Sequence, residues 1–90
     1  MRTTRKTAVD IMEKIDNGGY LNLVLKDELR GMERRDVRFI TALVFLTLEN
    51  LIRIDYIISL FTRGRKIHHL IRNIMRIATA QILFMDSVPD

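Results

Sequence analysis

Apolar residues recur every third or fourth position along nearly the whole of this 90-residue chain. That spacing matches the period of an α-helix and not the strict alternation of a half-buried strand. Ala8, Ile11, Met12 and Ile15 form the first such stripe, with Thr3 or Thr4 placed to cap it and Asn17-Gly18-Gly19 placed to end it. A second helix is expected from about Tyr20 to Arg30, turning Leu21, Val24, Leu25 and Leu29 inward, with Gly31 closing it. The third stripe starts near Glu33 and passes through Val37, Ile40, Leu43, Val44, Thr47, Leu48 and Leu51. It then continues through Ile54, Ile57, Ile58 and Phe61. One helix of that length is long for so short a chain, so a bend or break is expected between Asn50 and Asp55. Thr62-Arg63-Gly64 reads as a turn. A last helix is expected from about Lys66 to Phe84, with Ile67, Leu70, Ile71, Ile74, Ala78, Gln81 and Ile82 on its inner side. Ser87-Val88-Pro89 stops it, because proline disfavours the helical region at the preceding residue. The fold class follows: an all-α, compact bundle of four to five helices with short loops, one domain over residues 1–90.

Composition bounds what such a bundle can do. At 48% hydrophobic and 29% charged residues the chain is globular in character, not disordered. Apolar runs such as Ile82–Met85 are far shorter than the ~20 residues of a membrane span, so no membrane partner is expected. The basic N-terminus leads into an amphipathic pattern and not into the apolar core of a signal peptide. Cysteine is absent, which excludes disulfides, thiolate metal sites and a cysteine nucleophile within these residues. That usage fits a reducing cytoplasm, the expected location.

Charge is the strongest chemical signal. The formal net charge is +4, from 15 Lys and Arg against 11 Asp and Glu. From Tyr56 to Met85 there is no acid, while Arg63, Arg65, Lys66, Arg72 and Arg76 fall there with His68 and His69. Arg65, His69, Arg72 and Arg76 are spaced by 4, 3 and 4 residues, which puts them on one face of a helix. A second basic patch is Arg2, Arg5 and Lys6, ahead of the first acid at Asp10. Arginine and lysine in such patches pair with phosphates, and a guanidinium also stacks on unpaired bases. The plainer reading of both patches is a solvated face. A third cluster, Arg30, Arg34, Arg35 and Arg38, is interrupted by Glu33 and Asp36 and reads as local ion pairs at a helix start.

Catalytic constellations are missing. Neighbouring helix residues point about 100° apart, so His68 and His69 are poorly placed to share a metal ion. Gly18-Gly19 lacks the spacing of a phosphate-binding loop. Glu13/Asp16 and Asp27/Glu28 read as carboxylates on solvated helix faces. Tyr20-Leu21-Asn22 reads as a helix-entry device, the ring anchoring the turn and Asn22 bonding nearby backbone.

Taken in order, these features resemble the NusB-type helical domain. They resemble most its version at the N-terminus of the bacterial ribosomal RNA small-subunit methyltransferase B family. The residues that carry the likeness begin with Arg5, Ala8, Ile11-Met12 and Gly19-Tyr20-Leu21-Asn22 with Leu25. They continue through Asp36, Arg38-Phe39, Leu43-Val44 and Thr47-Leu48 to Ile54-Asp55-Tyr56-Ile57-Ile58. They close on Arg76, Gln81-Ile82-Leu83-Phe84 and Val88-Pro89. The chain departs from the family pattern at Phe45-Leu46, at Ala78, where a glycine is usual, and at Ala80, where a tyrosine is usual. Leu46 and Ala78 are accordingly expected to widen helix packing.

The resemblance implies an RNA-binding accessory domain that positions ribosomal RNA for methylation by an attached cytosine-5 methyltransferase. It implies no cofactor within these residues; S-adenosylmethionine would belong to a catalytic domain beyond them. It nominates Arg2, Arg5 and Lys6 for RNA contact. The stripe Arg65, His69, Arg72 and Arg76 rests on charge alone, and Arg76 is equally placed for a structural ion pair with Asp55. The family domain is longer by about two helices, so the bundle is expected to be truncated at its C-terminus. The apolar surface left uncovered would then favour a homodimer. Two other readings stand beside this one: a stand-alone NusB-type transcription antitermination factor, and a helical protein-interaction module with no nucleic-acid role.

Overall fold

The computed structural model describes residues 3–85. Arg2 and the Ser87-Val88-Pro89 stop lie outside the described residues. Five helices follow in order: α1 (Thr4–Asp16), α2 (Leu21–Glu28), α3 (Arg34–Glu49), α4 (Leu51–Thr62) and α5 (His69–Phe84). There is no strand among the described residues, so the all-α reading holds.

The helix ends are set by local chemistry. Thr3 caps α1, its hydroxyl oxygen accepting from the Lys6 amide at 3.1 Å. Gly18, at φ +94°, turns the chain after Asn17, and Gly19 makes the corner into α2. A Cβ on Gly19 would stand 2.8 Å from both the Lys14 carbonyl oxygen and Val24 Cγ2, so only glycine fits that corner. The break expected in the long third stripe falls at Asn50, which ends α3 and starts α4. Its side-chain amide donates to the Leu46 carbonyl at 2.9 Å, occupying an acceptor at the end of α3.

Packing centres on α1, α3 and α5, each of which touches the other two. α2 leans on α1, and α4 is held mainly by α5. Ala8, Ile11 and Met12 from α1 meet Ile40, Leu43 and Val44 from α3, Ile54 from α4, and Ile77 and Ala80 from α5. Leu46 is half-buried against this core.

The final helix departs from expectation in two ways. It begins at His69, not near Lys66, because His68 supplies the cap: its Nδ1 accepts from the Leu70 amide at 3.2 Å. More consequentially, its buried face is Asn73, Arg76, Ile77 and Ala80. The stripe expected inside is largely outside: Ile71, Ile74 and Ile82 are 48%, 45% and 70% exposed. Ala78 is exposed too, on the side of α5 that borders a groove with α1.

Candidate nucleic-acid interface

A buried polar network explains the rotation of α5. Arg76 is 7% exposed. Its Nε and Nη2 donate to the two carboxylate oxygens of Asp55 on α4, each at 2.8 Å. Its Nη1 donates to Asn73 Oδ1 at 3.0 Å and lies 3.5 Å from Asp16 on α1. Asn73, fully buried, donates through Nδ2 to Glu13 at 2.6 Å and to Asp16 at 2.9 Å. His69 Nδ1 sits 2.9 Å from the Glu13 carboxylate. One seam thus joins α1, α4 and α5. Asp55 holds the Arg76 guanidinium pKa above its ordinary value, against the opposing effect of burial. Hydrogen bonding from His69, seconded by Asn73, holds Glu13 below the usual carboxylate range.

This seam corrects two sequence expectations. Of the two roles the sequence left open for Arg76, the ion pair with Asp55 is the one formed, and the residue is withdrawn from the surface stripe. Glu13 and Asp16 are not simply solvated carboxylates; both anchor the seam. His69 keeps an exposed ring, but its Nδ1 is turned toward α1. Asn73 was not singled out from the sequence. A lone polar residue between Arg72 and Ile74 reads as solvent-facing until the acids it meets from α1 are known.

The remaining cations gather in two places. On one side Arg5 from α1 and Arg35 from α3 line a concavity of about 300 Å³ with Thr4, Asp36 and Phe39. Arg5 Nε also donates to Gln81 at 2.7 Å, and Lys6 pairs with Asp10 at 2.8 Å. The structure therefore adds Arg35 to Arg5, bringing the third arginine cluster to the N-terminal patch. Of that cluster only Arg30 makes a local ion pair among the described residues, with Asp27 at 3.4 Å.

On the other side, where α4 turns into α5, Arg65 and Arg72 line one concavity with Ser59 and Thr62. The Nε of Arg72 is buried there without a hydrogen-bond partner among the described residues. Arg65 and Arg72 share this concavity, but Arg65 lies in the loop before α5 and Arg76 is buried, so the single helix face expected for Arg65, His69, Arg72 and Arg76 does not form.

Tyr20 is a third correction. It is 77% exposed and makes no capping hydrogen bond, so it does not anchor the turn; the corner is made by Gly19. No group of three or more His, Asp or Glu side chains able to hold a metal ion occurs among the described residues. No described helix is long and apolar enough to cross a membrane.

Comparison with known proteins agrees with this architecture. The model of the NusB family matches residues 2–90. A curated relative, the probable ribosomal RNA small subunit methyltransferase B of Bacillus subtilis (strain 168), is 28% identical over 92 residues. The match covers 98% of this chain and 21% of the relative, so the chain spans about a fifth of that protein's length. No solved structure matches.

Proposed function

This chain belongs to the NusB family, and from that premise we propose that it is the RNA-binding accessory domain of a ribosomal RNA cytosine-5 methyltransferase. The observation that carries the reading is the family match over residues 2–90, joined to a relative named as a probable ribosomal RNA small subunit methyltransferase. In this reading the domain grips ribosomal RNA and performs no chemistry. S-adenosylmethionine would be held by a catalytic domain elsewhere in the protein. The α1–α3 concavity supports RNA contact, since two arginines, Arg5 and Arg35, line it against one acid, Asp36. Arg2, outside the described residues, extends the patch in sequence.

Titration of the chain with ribosomal RNA across a salt series tests the reading. A phosphate-based site predicts affinity falling steeply and linearly in log–log form as salt rises. Arg5→Glu should weaken binding across RNA sequences and lower the salt slope by about 1. Undetectable binding at low salt sinks the reading. An open reading frame continuing through a further domain of ~150–250 residues supports the methyltransferase over a stand-alone antitermination factor.

A second reading rests on a separate observation. An apolar groove of about 600 Å³ runs between α1 and α5, floored by Val9, Leu70, Ile74, Ile77 and Ile82. Exposed apolar surface of this kind favours self-association as a homodimer through α5.

A further inference from the structure

We propose that the corner between α4 and α5 is a binding site for single-stranded RNA that takes one unpaired base on Phe61 and the flanking phosphates on Arg63, Arg65 and Lys66. The inference deepens the RNA-binding reading and rests on it.

Phe61 lies in the last turn of α4 and is 80% exposed. A phenyl ring so placed gains little from the core, so its face is open to a ligand. Its surroundings are unusual for an apolar side chain: Phe61, Arg63, Arg65 and Lys66 line a single concavity of about 440 Å³. The backbone builds this arrangement. Arg63 adopts φ +55° and Gly64 φ +72°, two consecutive left-handed residues that reverse the chain at the end of α4. A non-glycine residue held in that region costs about 1 kcal/mol or more, so the turn is one the sequence maintains against a preference. It brings three cations round to the ring that precedes them.

The electrostatics suit an anion. No Asp or Glu occurs from Tyr56 to Met85. Asp55, the nearest acid in sequence, is taken up by Arg76. None of Arg63, Arg65 and Lys66 has an ion-pair partner among the described residues. Arg65 and Thr62 also line the neighbouring concavity that holds Arg72, where the one acid, Asp55, is paired with Arg76.

An aromatic face bordered by backbone-tracking cations is the arrangement by which proteins hold single strands. A stacked duplex offers no free base face to the ring, and a protein ligand recognised by apolar contact would not need the three cations. The chemistry therefore favours a loop, bulge or end of a folded RNA.

The test is titration of the whole chain with a short uridine- and adenine-containing single strand and with a blunt duplex of the same sequence. The variants are Phe61→Ala, Phe61→Tyr, Phe61→Leu and Arg65→Glu, with thermal melts run alongside. Phe61→Ala should weaken single-strand binding by about 5- to 100-fold and leave duplex binding and the melt unchanged. Phe61→Tyr should restore affinity and Phe61→Leu should not, because leucine supplies apolar area without a π face. Arg65→Glu should weaken both RNAs and flatten the salt dependence. Unchanged single-strand binding in Phe61→Ala overturns the proposal and leaves RNA binding through α1 standing. Full rescue by Phe61→Leu also overturns it, in favour of an apolar docking contact. Binding of neither RNA by the parent chain removes the RNA reading itself, and this proposal with it.

Discussion

Arg76 shows how far a single side chain's role depends on what faces it. Its spacing from Arg72 and His69 is that of a surface stripe, yet its guanidinium is enclosed by Asp55, Asp16 and Asn73. Removing one partner of a buried pair leaves the others desolvated without compensation, which typically costs ~3–5 kcal/mol. Asp55 remains 39% exposed and can be rehydrated. Arg76→Ala should therefore cost less than that range, about 2–3 kcal/mol. Urea denaturation checks the value. Arg65→Ala, at an exposed position, should stay within ~0.5 kcal/mol of the parent in the same experiment. Equal small effects would mean the ion pair is not structural.

Among the elements, the α1–α5 seam is the one with a pH signature. Glu13 is held below the ordinary carboxylate range by His69 first and Asn73 second. Its folded pKa lies under its unfolded one, so the unfolded chain binds more protons in that window. The stabilising contribution is complete above the unfolded carboxylate pKa and disappears as pH falls through the folded value. Stability followed from about pH 7 down to about pH 3 should fall in the parent, and Glu13→Gln should start lower and decline less. Identical profiles would remove Glu13 from the seam. The helices themselves were largely legible. Thr3 and Gly18 stand where their chemistry places helix ends, and the break at Asn50 falls inside the expected window, whereas α2 stops at Glu28, ahead of the expected Arg30 and Gly31. What local pattern misread was the start of α5, where a histidine cap took precedence over the continuing charge pattern. The Tyr20 turn was misread for a related reason. An aromatic after Gly-Gly suggests an anchor, but the tight contact belongs to the glycine.

For the whole molecule, the orientation of α5 is decisive. The bundle has a Cα radius of gyration of 12.9 Å and a core drawn from every helix, yet α5 turns an apolar stripe to solvent. Helical periodicity gives the existence of that stripe correctly; its direction depends on whether α1 and α4 offer it acids or aliphatic side chains. They offer Glu13, Asp16 and Asp55, so Asn73 and Arg76 go inward and Ile74 and Ile82 go outward. Sedimentation velocity over rising concentration should show self-association, and Ile82→Glu should abolish it without lowering the melting temperature. Ile82 is 70% exposed, so the substitution leaves the core untouched. A monomer at all concentrations would exclude pairing through α5.

The helical class and the helix order were settled by the sequence alone, because period and capping are local properties. The family resemblance belongs with them, since it rests on residues read in order. Three matters were decided only in three dimensions. The Asp55 ion pair prevailed over the surface stripe at Arg76, Arg35 joined Arg5, and Phe61 came to stand among Arg63, Arg65 and Lys66. Each depends on contacts between side chains from different helices or around a left-handed turn. Spacing along the chain carries no information about which opposing group will satisfy a buried charge.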